Sequence, residues 1–85
     1  MTLSFSILIS DNAKGELRKL PKEIQQRIYE KLVRSQENPF FYFSRLKGRP
    51  DYKLRAGDYR VVADIKSTER AIEITKVGHR RNVYE

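Results

Sequence analysis

The run YKLRAGDYRVVADI, residues 52–65, constrains the fold more than any other part of this chain. Two apolar-patterned stretches flank Ala-Gly-Asp, the mark of a β-hairpin. Alternate side chains of a strand share a face, so Lys53 and Arg55 point one way and Tyr52 and Leu54 the other. After the turn, Arg60 shares a face with Val62 and Asp64. With Ala56-Gly57 as a two-residue loop, Arg55 is expected opposite Asp58, Leu54 opposite Tyr59 and Lys53 opposite Arg60. Cations then meet cations on one face, an arrangement that costs stability unless an anion is its purpose.

The first half carries a different period. Leu3, Phe5, Ile7 and Ile9 alternate with Ser4, Ser6 and Leu8, as in a half-buried strand. Ser10 or Asp11 offers an N-cap to a short helix bearing Ala13, Leu17 and Leu20, weakened by Gly15. Pro21 suits the first turn of a second helix, in which Ile24, Ile28 and Leu32 recur every fourth residue and Tyr29 and Val33 widen the stripe. Glu37-Asn38-Pro39 ends that helix near Ser35.

Four aromatics follow, Phe40 to Phe43. They are expected to form a loop entering a short strand packed on the helices, with a base-stacking platform as the alternative. A last strand, AIEITKV, turns Ile72 and Ile74 inward and Glu73 and Thr75 outward. The order strand, helix, helix, then three or four antiparallel strands predicts an α+β domain spanning residues 1–85, its helical pair on one sheet face and the other face open.

Charge narrows the partners. Lys and Arg number 18 against 11 Asp and Glu, a formal net charge of +7 that suits a polyanion such as nucleic acid. The cations concentrate in residues 45–60 and 76–81. The chain has no cysteine, so disulfides, thiolate nucleophiles and cysteine-based zinc sites are excluded. No stretch reaches the roughly 18 apolar residues of a membrane span. MTLSFSILIS lacks a basic leader and a cleavage site, and the expected location is the cytoplasm.

The chemistry within reach is cleavage of RNA by attack of a 2′-OH on the neighbouring phosphate. Lys and Arg can stabilise the dianionic transition state, and a lysine crowded by arginines has its neutral form favoured. His79 and Tyr84 are candidates to move a proton or stack on a base. A lone His79 and scattered acids make no metal-ligand set, and no cofactor motif is present. Each residue also has a plainer reading: Arg60 paired with Asp64 or Glu69, Arg80 and Arg81 as solvated strand-end charges, His79 as a bystander and Tyr84 in a frayed terminus.

ELRKLPKEIQQRIYEKL, ENPF, RLKGRPDYKLRAGDYRVVADI and KVGHRRNVYE together resemble the RelE/ParE superfamily of toxins from type II toxin–antitoxin pairs, in order and over nearly the whole chain. LKG, the R-x-G-D-Y-R hairpin and the V-G-H-R-x-x-V-Y close carry the resemblance most specifically. It implies a sheet backed by an N-terminal helical pair. For the RelE-like branch it implies a metal-independent, ribosome-dependent endoribonuclease that cuts mRNA in the A site and leaves a 2′,3′-cyclic phosphate.

On that resemblance, Lys53 activates the 2′-OH or stabilises charge, Arg55 is a neighbouring basic position and Arg60 holds the scissile phosphate. Arg80 is linked to leaving-group protonation, with His79 as the other acid candidate, and Tyr84 stacks on the substrate base. Arg45, Lys47, Arg49 and Arg81 would face ribosomal RNA. Asp51 stands where a second strand lysine is usual, which thins the cationic cluster. The implied partners are the ribosome, mRNA and an acidic, RelB-like antitoxin that folds on binding into a heterodimer or heterotetramer. The other readings are a ParE-like poison of DNA gyrase and a catalytically inactive member that only binds antitoxin or RNA.

Overall fold

The computed structural model describes residues 4–79, and Arg80, Arg81 and Tyr84 lie outside the described residues. The first strand, β1 (Ser6–Ile9), ends where the first helix, α1 (Asp11–Arg18), begins. Ser10 makes both connections. Its backbone N–H donates to Ile74 O at 3.0 Å, while its hydroxyl accepts from the Ala13 N–H at 3.1 Å. Asp11 in the first turn and Arg18 in the last complement the helix dipole.

The second helix, α2 (Lys22–Ser35), has Pro21 at its N-cap rather than in its first turn. The Pro21 carbonyl accepts from Ile24 and Gln25 N–H, both at 3.0 Å. Ile28 and Leu32 enter the core, but Tyr29 and Val33 do not widen that stripe: they are 60% and 44% exposed. Beyond the helix, Gln36 clamps the start of the chain, accepting from Phe5 N–H at 2.7 Å and donating its side-chain Nε2 to Phe5 O at 2.8 Å.

The aromatic run is neither loop nor strand. It forms a single helical turn, α3 (Pro39–Tyr42), with the proline at the position where its missing N–H is harmless. One turn puts Pro39 and Phe43 on the same side, joined by a 2.8 Å hydrogen bond from Phe43 N–H to Pro39 O, and both are buried. Phe40 and Phe41 are thereby turned outward, so the expectation that the aromatics pack on the helices holds for Phe43 and fails for these two.

The strands β2 (Ser44–Arg45), β3 (Tyr52–Ala56), β4 (Tyr59–Lys66) and β5 (Ala71–His79) complete a five-stranded sheet in the order β1-β5-β4-β3-β2. β1 runs parallel to β5 and the other pairings are antiparallel. Leu54, Val61, Ala63, Ile72, Ile74 and Val77 meet Ala13, Ile28 and Leu32 of the helices in the main core. The architecture is α+β, with no helix among the described residues long and apolar enough to cross a membrane.

The hairpin loop is displaced by one residue from the sequence expectation, which moves the strand register by two. The loop is Gly57-Asp58, so Arg55 faces Arg60, Leu54 faces Val61 and Lys53 faces Val62. Gly57 adopts φ +63°, which places glycine at the first position of the turn and draws Ala56 into the strand as a buried residue. Both registers keep the same parity, so the cations remain on one face, with Arg55 rather than Lys53 across from Arg60. A Cβ at Gly57 would meet nothing within 4 Å, so Gly57→Val is opposed by the backbone alone. It should cost about 1–2 kcal/mol in urea unfolding.

A bulge shapes the last strand. Between Val62 and Ala63 the partner jumps from Lys76 to Ile74, leaving Thr75 over, and its hydroxyl donates to Val62 O at 3.3 Å. Strict alternation from Ile74 would bury Lys76 and expose Val77; the extra residue reverses this. Where β1 stops, side chains of α1 continue its pairing with β5. Asn12 Nδ2 donates to Thr75 O at 3.1 Å, and Glu16 Oε1 accepts from Val77 N–H at 2.8 Å. Glu16→Ala leaves that half-buried N–H without its acceptor. It should cost about 1–3 kcal/mol and speed hydrogen exchange at Val77 and Gly78 first.

Candidate active site

The sheet face away from the helices carries the cations. Across β3, β4 and β5 the row Arg55, Arg60, Gly78 lies beside the row Lys53, Val62, Lys76. Four positive side chains thus flank Val62, with Gly78 directly across from Arg60. Lys53 and Arg60 are half-buried while Arg55 and Lys76 are exposed. Lys31 of α2 steadies this end of the sheet, donating from Nζ to the Arg55 carbonyl at 2.7 Å.

The same face becomes acidic further along. Asp64 lies directly opposite Glu73, and Lys66 bridges to Glu73 at 3.3 Å. The hydrogen bond and charge of Glu73, with Glu69 and Asp64 behind them, hold the exposed Lys66 ammonium above its usual pKa. An anion approaching the face is therefore drawn to the hairpin end.

Nor is this face entirely open. The loop between β2 and β3 folds over it, burying Leu46 against Val62. Leu46 N–H donates to Asp51 O at 2.9 Å, and Gly48 takes φ +74° to make the bend. Arg49 Nη2 binds Asp51 Oδ2 at 2.6 Å, an ion pair that braces the loop. Asp51 accordingly serves to fold the loop and lies before β3, outside the cationic rows.

Of the residues singled out from the sequence, the fold brings Lys53, Arg55 and Arg60 together. Arg45 pairs across the strands with Tyr52 and lies on the other face, its Cζ 5.8 Å from the ring centroid. Lys47 is exposed at the loop. His79 pairs with Tyr59, and the rings meet edge to face at 5.5 Å on the helix side of the sheet, away from Arg60. Arg80, Arg81 and Tyr84 lie outside the described residues. Lys76 was missed as a site residue. It was visible within the basic run, but only the bulge assigns it to this face. Among the described residues no group of His, Asp and Glu side chains is placed to hold a metal ion.

Such an array can grip a phosphodiester and stabilise charge developing on it.

Residues 7–84 match the family described as "ParE toxin of type II toxin-antitoxin system, parDE". A RelE-like toxin protein of Escherichia coli is 31% identical over 81 residues, covering 92% of this chain and 85% of that protein. The mRNA interferase toxin RelE of E. coli strain K12 is 28% identical with the same coverage of 92% and 85%. A chain of the intact E. coli RelBE toxin–antitoxin complex superposes with a TM-score of 0.78 at 27% identity, over 91% of this chain and 98% of that one. The chain belongs to the ParE toxin family, within the RelE/ParE superfamily, and is the toxin of a type II toxin–antitoxin pair.

Proposed function

We propose that this toxin is a ribosome-dependent endoribonuclease that cleaves mRNA in the A site. The observation that carries the reading is the convergence of Lys53, Arg55, Arg60 and Lys76 beside Val62 on one face of the sheet. The RelE relative named an mRNA interferase supports it.

In the proposed reaction the 2′-OH attacks the adjacent phosphorus and the bond to the 5′ oxygen breaks. A 2′,3′-cyclic phosphate and a 5′-OH remain. Lys53 receives the 2′-OH proton or stabilises the charge that forms. Arg60 and Arg55 hold the phosphate oxygens, and Lys76 adds a fourth charge. Arg80 and Tyr84 keep the roles that the family resemblance implies, proton delivery to the leaving oxygen and base stacking. His79, turned to Tyr59, orients the end of the sheet in this scheme rather than acting as the acid. Arg45, Lys47 and Arg81 neutralise RNA phosphates outside the cleavage point.

The structural relative from a toxin–antitoxin complex supports an antitoxin as partner; on the +7 charge of this chain that antitoxin is acidic, and the pair forms a heterodimer or heterotetramer. The chain works in the cytoplasm as one domain in this reading. One observation favours a second reading, a poison of DNA gyrase: the matching family carries the ParE name.

The test is to add the purified protein to a translation system with a defined mRNA and map new 5′ ends, with and without ribosomes. Cuts within A-site codons that require ribosomes are expected. Intact mRNA accompanied by gyrase-dependent DNA breaks would move the assignment to the second reading, and intact mRNA with unbroken DNA to an inactive binder.

A further inference from the structure

The aromatic run leaves two large rings in water. Phe40 is 49% and Phe41 77% exposed, although one turn further on Phe43 is buried. Core packing accounts for Phe43 and not for the other two. Phe40 meets Tyr52 edge to face, with centroids 5.7 Å apart, and the Arg45 guanidinium lies over the Tyr52 ring, 5.8 Å from its centroid. Phe40, Tyr52 and Arg45 therefore form a continuous margin, with exposed Phe41 next in sequence, packed edge to face on Tyr42 at 5.3 Å, and exposed Lys47 in the loop that follows β2.

Three features bear on what covers this margin. Between residues 39 and 50 there is no acidic residue, and the next acid, Asp51, is held by Arg49. The outermost strand, β2, is two residues long and offers almost no free backbone edge for a protein strand to extend. The margin lies on the helix side of the sheet and meets the cationic rows only around the short β2 edge, where Ser44 pairs with Lys53, one strand spacing of about 4.8 Å away. Exposed aromatic faces interleaved with cations, next to a phosphate-gripping array, are what unpaired nucleic acid requires. Bases stack on the rings, and the backbone follows the charges.

We infer that the β2 margin is a second RNA-binding site, taking single-stranded RNA that leaves the cationic array. Nucleobases stack on Phe40 and Phe41, and phosphates lie against Arg45 and Lys47. The inference rests on the reading of this toxin as one that acts on RNA, and deepens it.

The test is equilibrium binding of a short fluorescent oligouridylate to the full-length protein over a range of salt concentrations, with circular dichroism to confirm folding. Phe40→Ala and Phe41→Ala should each raise Kd roughly 5- to 100-fold, as loss of one stacked base does. They should leave the dependence of log K on log salt unchanged, while Phe41→Trp binds as well as the parent. Lys47→Ala should flatten that dependence by about 0.7. Wild-type protein that fails to bind the oligouridylate, or alanine variants that bind as tightly as wild type, would overturn the inference and leave the margin as a protein-facing surface. A-site cleavage is scored separately on ribosomes. Its presence with no effect of Phe41→Ala on binding rejects the second site alone, and its absence with an intact Phe41 effect rejects the nuclease alone.

Discussion

Arg60→Ala is expected to lower the rate of A-site mRNA cleavage by about two to three orders of magnitude, the usual effect of removing one preorganised donor from a developing phosphate charge. Arg60 is the cation best placed for that task. It is half-buried, lies between Arg55 and Gly78 across the strands, and stands two residues from Val62, which the loop residue Leu46 covers. Partial removal from water strengthens its interaction with a bound phosphate, whereas exposed Arg55 and Lys76 are more screened. Their alanine variants should lose less. Arg55→Ala has a second expected signature. It relieves the direct Arg55–Arg60 repulsion while keeping the backbone carbonyl that Lys31 binds, so stability should hold or rise by up to about 1 kcal/mol as activity falls. Single-turnover cleavage on programmed ribosomes, paired with urea unfolding, measures both. An Arg60→Ala rate within a few-fold of wild type would remove the cationic rows from the mechanism.

Ile28→Ala should be the most damaging simple change to the fold, costing about 2–5 kcal/mol. Ile28 is fully buried on α2 and packs in the core cluster that joins the helices to the sheet. Globular chains are stable by only about 0.05–0.15 kcal/mol per residue, so this loss takes a large share of the total. A fall in Tm of roughly 10 °C or more is expected by differential scanning calorimetry. The neighbouring Tyr29, 60% exposed, provides the control, because Tyr29→Ala should stay within about 0.5 kcal/mol. Equal effects at the two positions would mean that α2 is packed in a different rotation.

Much of this arrangement is legible before any coordinates, because its signals are local. Ser10 caps α1, α2 ends at Ser35 ahead of Pro39, and the alternation through residues 52–65 makes a hairpin. The clustering of Lys53, Arg55 and Arg60 also survives the one-residue error in the loop, since parity alone decides which face a strand residue occupies. The order of the elements, read with the R-x-G-D-Y-R and V-G-H-R motifs, was sufficient to reach the superfamily.

What the sequence did not disclose depends on contacts between distant segments. That β1 closes the sheet beside β5 is decided by pairing Ser6 with Ala71, a partnership no local period encodes. The single extra residue at Thr75 inverts the faces beyond it, which brings Lys76 to the cationic rows and turns His79 to Tyr59. The bond from Arg49 to Asp51 braces the loop that folds over Val62, a pairing that composition does not specify. The turn at Pro39 exposes two phenylalanines whose hydrophobicity alone argued for burial. Local periodicity and capping therefore determined which elements form and which side chains share a face within each. Tertiary packing decided how those faces were brought together, because one bulge, one turn and one long-range pairing suffice to reverse the side on which a charge appears.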